Sequence, residues 1–257
     1  MKYRKTMPVF LDLAAGINSS KFIDFGTSPL YYKGSLMAFY IGLRKETVKR
    51  EITYTGFYSF GNYFMNYNRI SSASSGISNV SIRHSRLYQV NAFSNKLYNL
   101  KVGGSIDMTE LMRINESLLN NQFGFDMFFN VMGSVKISKN ISNLNTKRIW
   151  FIKIKPKDRK ISYQIDCGIL NATYRNNFIY SNSTAVYNGA KLFGSHNLNL
   201  FSGFRMSSRL NYEHTIFGNN SLKYSYIWDA MMTGKDKQDR MQLANNYLLV
   251  SLNIKFR

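Results

Sequence analysis

Apolar and polar residues alternate with a period of two along most of this chain. Side chains on an extended strand point to opposite faces in turn, so such a pattern specifies half-buried β-strands. At the C-terminus Leu248, Val250, Leu252, Ile254 and Phe256 fall on one face, and Tyr247, Leu249, Ser251, Asn253, Lys255 and Arg257 on the other. Equivalent apolar faces are formed by Leu11, Leu13, Ala15 and Ile17, by Met37, Phe39, Ile41 and Leu43, and by Phe125, Met127, Phe129 and Val131. Others are formed by Ile161, Tyr163, Ile165, Cys167 and Ile169, and by Leu222, Tyr224, Tyr226 and Trp228.

Two environments produce such strands. In a soluble sandwich the apolar face meets the core; in a membrane barrel it meets lipid and the polar face lines the lumen. Strands of ordinary globular sheets average about 5 to 6 residues, whereas the runs 51–64, 123–138 and 244–256 are longer. They suit the roughly 9 to 11 tilted residues of a bilayer crossing with extensions beyond it. Aromatic residues near the ends of the runs support girdles at two interfaces: Tyr31, Tyr32, Tyr63, Phe64, Tyr67, Trp150, Tyr174, Phe178, Tyr180, Trp228 and Tyr247. The polar faces carry charges of both signs, namely Asp12, Lys101, Asp107, Asp126, Lys136, Asp166, Lys223 and Asp229. Facing a lumen, these would pair and partly fill it, as would the inward Phe10, Phe128 and Met132.

The expected fold is therefore all-β, an antiparallel transmembrane β-barrel of about 12 strands, with 10 or 14 as alternatives, in a single domain over 1–257. Short turns are expected at 45–49, 94–96, 156–160 and 217–220. Longer connections are expected at 18–33, 65–79, 109–122, 175–184 and 231–241. Short and long alternate as expected from the N-terminus to Lys139, but counting from the C-terminus offsets the alternation by one strand. The discrepancy lies within 148–212, where 185–204 reads as one bulged strand or two. Within 109–121, Leu111, Ile114, Leu118 and Leu119 have helical spacing behind Thr109, which predicts a short loop helix.

The formal net charge is +20, from 34 Lys and Arg against 14 Asp and Glu. Such an excess attracts phosphates, of nucleic acid or of lipids. The basic residues gather in turns and strand ends, which favours lipid or lipopolysaccharide and disfavours nucleic acid. The run Lys153, Lys155, Lys157, Arg159 and Lys160 is the candidate contact; a solvated loop is the plainer reading. One Cys excludes a disulfide framework. No metal-ligand spacing such as HExxH occurs, so no metal or cofactor is expected. Gly103-Gly104, a double glycine in a strand, suits a bend or close packing rather than a phosphate cradle. The three His, at 84, 196 and 214, offer His84–Ser85 and Ser195–His196 as neighbours. Adjacent strand residues face opposite ways, so neither pair is a nucleophile and its base; only Ser202 or Ser207 could approach a His in space.

The segment from Tyr247 to Arg257 resembles the C-terminal targeting strand of Gram-negative outer-membrane β-barrels, with Phe256 penultimate where the terminal position is commoner. The Asn-, Lys-, Tyr- and Ile-rich composition resembles barrels of the Bacteroidota. That resemblance implies residence in the cell outer membrane and export by a signal peptide, yet 6–16 contains Asp12 and alternates like a first strand. The expected function is a non-enzymatic accessory or structural subunit of an envelope complex, or a narrow pore. Its partners would be outer-membrane lipid, lipopolysaccharide and other envelope proteins. The alternatives are a barrel enzyme acting on lipid or lipopolysaccharide, and a soluble basic β protein that binds nucleic acid.

Overall fold

A computed structural model describes residues 7–26, 28–66, 72–95, 97–115, 123–142, 147–149, 152–154, 158–176, 196–216, 220–234 and 240–256. The long alternating segments become long strands: β1 (Val9–Asp24), β2 (Ser28–Glu46), β3 (Arg50–Asn66), β4 (Ser72–Gln89), β5 (Tyr98–Ile114) and β6 (Phe123–Asn140). Two short strands, β7 (Lys147–Ile149) and β8 (Ile152–Ile154), pair only with each other. The chain continues through β9 (Arg159–Asn176), β10 (His196–Leu200), β11 (Gly203–Thr215), β12 (Ser221–Thr233) and β13 (Met241–Lys255).

Ten of these strands form one closed antiparallel wall. Neighbours in sequence pair from β1 to β6, β6 pairs with β9, β9 with β11, and β11 through β12 with β13. The ring shuts between the first and last strands, from Phe10 opposite Lys255 to Asp24 opposite Met241. Closure leaves no sheet edge. The expected strand number of 12 is thus corrected to 10. Three further strands, β7, β8 and β10, do not add to the ring. β10 pairs only with the far end of β9, from His196 opposite Asn176 to Leu200 opposite Ala172. It is divided from β11 by Phe201, whose φ is 54°.

Three other expectations change. Thr109–Ile114 is strand, not helix, because Leu111 and Arg113 both turn into the barrel; the remainder of that segment lies outside the described residues. The connection at 18–33 shrinks to a turn between Asp24 and Ser28, and 72–79 belongs to β4. Val131 of β6 pairs with Leu170 of β9, but the next residue, Met132, pairs with Gly168. The bulge at Ile169 flips the alternation, so that Asp166 and Arg175 both point inward. Such a flip hides the inward side of the far half of the strand from any reading based on strict period two.

Glycine permits the tightest contacts in the wall. A Cβ on Gly103 would lie 2.0 Å from the Arg86 carbonyl oxygen, and one on Gly16 would lie 1.9 Å from that of Leu248. Close packing is one of the two roles expected for Gly103.

Candidate functional site: a charge-paired lumen inside an apolar wall

The wall is apolar outside and charged inside. Ile17, Met37, Ile82 and Leu248 are each more than half exposed, while Lys101, Asp107, Asp126 and Asp166 are at most 2% exposed. A water-soluble sandwich has the reverse arrangement. On β2 the outward Lys33 and Lys45 bracket 11 positions that present Met37, Phe39, Ile41 and Leu43 to the outside. That matches the height of a hydrocarbon layer crossed by tilted strands.

Inside, charge is paired at three levels. The first is at the end opposite the chain termini. There Arg113 and Arg175 each contact both Asp24 and Asp126, at 2.6 to 3.0 Å, in a closed square of two guanidinium and two carboxylate groups. The square adjoins an apolar plug of Phe22, Tyr32, Leu36, Tyr63, Leu111 and Phe128 with neighbours, and Arg113 lies over the Phe22 ring at 4.9 Å.

At the second level Arg83 reaches Asp107 at 2.9 Å and Asp166 at 3.2 Å. Arg205 contacts Asp107 and holds Asp229 through two hydrogen bonds of 3.0 and 2.8 Å. Thr109, Ser81, Ser207 and Gln164 complete the carboxylates' partners.

The third level, near the termini, is built on Glu46, Glu51, Glu213 and Asp12. Lys101, Lys136 and Lys160 surround Glu46 and Glu51. Arg44 bridges Glu46 at 2.6 Å and Glu213 at 3.2 Å, and Lys223 meets Asp12 at 2.7 Å. Burial alone would raise the Glu46 carboxyl, but Lys160, followed by Arg44, Lys136 and Lys101, holds it well below the usual carboxylate range.

Nine carboxylates and nine cations take part in these pairs, which therefore cancel. The whole +20 excess lies outside them. The pairs also leave little room. A vestibule of about 580 Å³ opens at the terminal end, lined by Phe10, Val48, Leu97 and Tyr98, with Arg44, Glu46, Lys160 and Glu213 on its wall. Arg44, Lys160 and Glu213 also line the next cavity, which holds about 40 Å³ among Asp12, Glu51, Arg83, Lys136 and Arg209.

All eight charged residues expected on polar faces take part in the lumen pairs, and Phe128 and Met132 are buried as expected. Sequence reasoning missed Arg44, Arg83, Arg113, Arg175, Arg205, Asp24, Glu46, Glu51 and Glu213. For Arg44, Arg83, Arg205, Glu51 and Glu213 a place on the polar side of alternating strands was the available signal, whereas Asp24, Glu46, Arg113 and Arg175 fall in segments expected to be connections. Among the expected girdle residues, Tyr31 and Phe64 face outward, but Tyr32, Tyr63 and Tyr247 are buried inside the barrel. Tyr67, Trp150, Phe178 and Tyr180 lie outside the described side chains.

Of the candidate anion-binding run, Lys160 turns inward to Glu46, and Arg159 sits where β9 begins. Lys153 belongs to β8, and the side chains of Lys153, Lys155 and Lys157 lie outside the described ones. On β13, Leu248, Val250 and Leu252 are outward and exposed, opposite Ile17, Ala15 and Leu13. Phe256 is also exposed, and its backbone N–H donates to the Val9 carbonyl at 2.9 Å.

Two of the three His lie on the outside of the wall. His84 stacks on Tyr54 at 4.5 Å between ring centroids, and His214 stacks on Tyr224 at 6.0 Å. His196 is beside Tyr174 and hydrogen-bonds the Phe125 carbonyl at 2.9 Å. The two Ser considered as nucleophiles are bonded elsewhere: Ser202 to Thr173, and Ser207 to Arg83 and Asp166. Among the described residues no group of three His, Cys, Asp or Glu is arranged to hold a metal ion.

A closed, twisted ring with an apolar exterior and a charged interior is the outer-membrane β-barrel fold. The outer membrane protease OmpT from Escherichia coli superposes with a TM-score of 0.57 at 8% identity, over 98% of each chain. The transport unit of the autotransporter AIDA-I from Escherichia coli gives 0.48 at 10% identity, over 100% of this chain and 92% of that one. The attachment invasion locus protein Ail of Yersinia pestis gives 0.36 at 8% identity, over 96% of this chain and 100% of that one. No protein-family model matches the sequence, and no curated protein is similar to it.

Proposed function

We propose that this chain spans the outer membrane as a closed, non-conducting barrel. In this reading it serves as an accessory or structural subunit of an envelope assembly and performs no chemistry of its own. The observation that carries it is the lumen. Three levels of mutually neutralising ion pairs and an apolar plug occupy the space through which a solute would travel, and below the vestibule the cavity narrows to about 40 Å³. A buried charge keeps its partner because parting from it strands both in a medium of low polarity. The pairs therefore act as a fixed filling. What remains for interaction is the outer wall and the two rims. At the terminal rim Lys45, Lys49, Arg50, Arg86, Lys139, Arg159 and Lys255 offer positive charge to phosphates of lipid or lipopolysaccharide, or to acidic envelope proteins.

Two measurements test this. Heat-modifiable migration in detergent gels and recovery with the outer-membrane fraction are expected; extraction into plain buffer would reject the membrane reading. Proteoliposomes containing the protein are expected not to swell in isotonic small sugars, and swelling at the rate given by an open porin would reject the closed barrel.

A further inference from the structure

The wall breaks one of its own rules near the end opposite the termini. Lys21 and Lys33 sit directly opposite each other on β1 and β2, both outward and exposed. Like charges in that position repel and destabilise a pair of strands unless something negative lies between them. Among the described strand residues, the only carboxylate on the outer face is Glu110, three strands away on β5. Lys33 rests over the Tyr31 ring at 5.8 Å.

The same cross-strand row continues from Lys21 to Ala244, Ala230 and Met206. The two alanines are too small to fill their places. They leave a groove of about 290 Å³ on the outside of the barrel, with Trp228, Phe204 and Met232 along it and Lys21 and Tyr31 on its border. An apolar channel on a lipid-facing wall, ending at two adjacent cations and a tyrosine, has the shape and charge of one kind of occupant.

We infer that this groove holds a membrane lipid with an anionic phosphate headgroup, its phosphate bridging Lys21 and Lys33 and one acyl chain lying over Ala230 and Ala244. The inference rests on the membrane-spanning reading. The phosphate is lipid-borne, because the groove supplies the apolar half of the site. Glycerophospholipids and phosphorylated glycolipids share that chemistry.

The test uses the full chain with Trp150→Phe, which leaves Trp228 as the sole tryptophan, in phosphatidylcholine vesicles. Trp228 fluorescence is quenched by phosphatidylglycerol or by phosphatidylcholine, each brominated in the acyl chain. Brominated phosphatidylglycerol is expected to associate about thirtyfold more strongly than brominated phosphatidylcholine, the effect of two lysines at a lipid surface at about 1 kcal/mol each. Lys21→Gln with Lys33→Gln should bring the two lipids to parity, and Ala244→Leu should weaken association by filling the groove while both lysines stay. Heat-modifiable migration checks that each variant folds, and the single variants K21Q and K33Q serve if the double one does not. Excess inorganic phosphate should displace nothing. Parity in the parent protein, as when a protein partner covers the lysines, overturns the inference. So does a preference that survives loss of both lysines, or displacement by free phosphate. No quenching by either lipid means instead that the wall does not face a bilayer, and the spanning reading fails with it.

Discussion

The two faces of this wall obey opposite rules. Inside, Asp107 is fully buried and touches two guanidinium groups; outside, residues such as Val250 and Ile82 are exposed and apolar. In a water-soluble protein the buried side would be apolar and the exposed side charged. On the membrane-spanning reading each face therefore depends on a different environment: the inner face on its own counter-charges, the outer on hydrocarbon. A substitution that is harmless on one face should be costly on the other.

The largest effect is expected at Asp107. Asp107→Ala leaves Arg83 and Arg205 buried with one carboxylate fewer between them, and should cost about 3 to 5 kcal/mol. Urea unfolding in detergent micelles measures it. A change under about 1 kcal/mol would mean that water reaches the second level of pairs. Next comes Val250→Arg, which places a charge on the lipid face and should cost about 2 to 4 kcal/mol in bilayers. The same substitution in a soluble β protein is mild, so a neutral result would remove the hydrocarbon from the outer face.

A smaller effect is expected at Glu46. Its carboxyl is held low by Lys160 and Arg44, so the stability it contributes is complete above the ordinary carboxylate range. It is lost as pH falls through the depressed folded-state value. Equilibrium unfolding across acidic pH should therefore show a loss of stability that is shallower in Glu46→Gln. Identical profiles would show that the terminal level is hydrated. The smallest effects belong to His84→Ala and His214→Ala, which remove only stacking on the outer wall and should each stay within about 0.5 kcal/mol. A loss of several kcal/mol at either would reveal a partner for that ring.

Much of this architecture was legible in the sequence. Strict alternation on β13, β12 and β6 identifies both faces, and the eight charged residues expected on the polar faces do take part in the pairs inside. Three things were hidden, each for a physical reason. A closed ring is a property of pairing on both sides, so β7, β8 and β10 are strands without belonging to it. The bulge at Ile169 reverses the alternation within β9, so Arg175 looks misplaced until the extra residue is seen. And an aromatic near a strand end reads as an interface anchor wherever it points. Tyr32 and Tyr63 instead pack with Phe22 in the inner plug, because an apolar cluster fills the barrel beside the Asp24–Asp126 square. Helical spacing at Leu111 and Ile114 misled for a related cause: Leu111 belongs to that plug, and Arg113 to the Asp24–Asp126 square.

The central claim is that counter-charges and the plug close the lumen, and single-channel recording in planar bilayers tests it most directly. The purified protein is expected to insert without steady conductance at either polarity. A variant with Arg83, Arg205 and Asp107 all replaced by Ala, emptied at the second level, should conduct at least intermittently if it retains heat-modifiable migration. Stable ohmic channels from the unaltered protein would contradict the account.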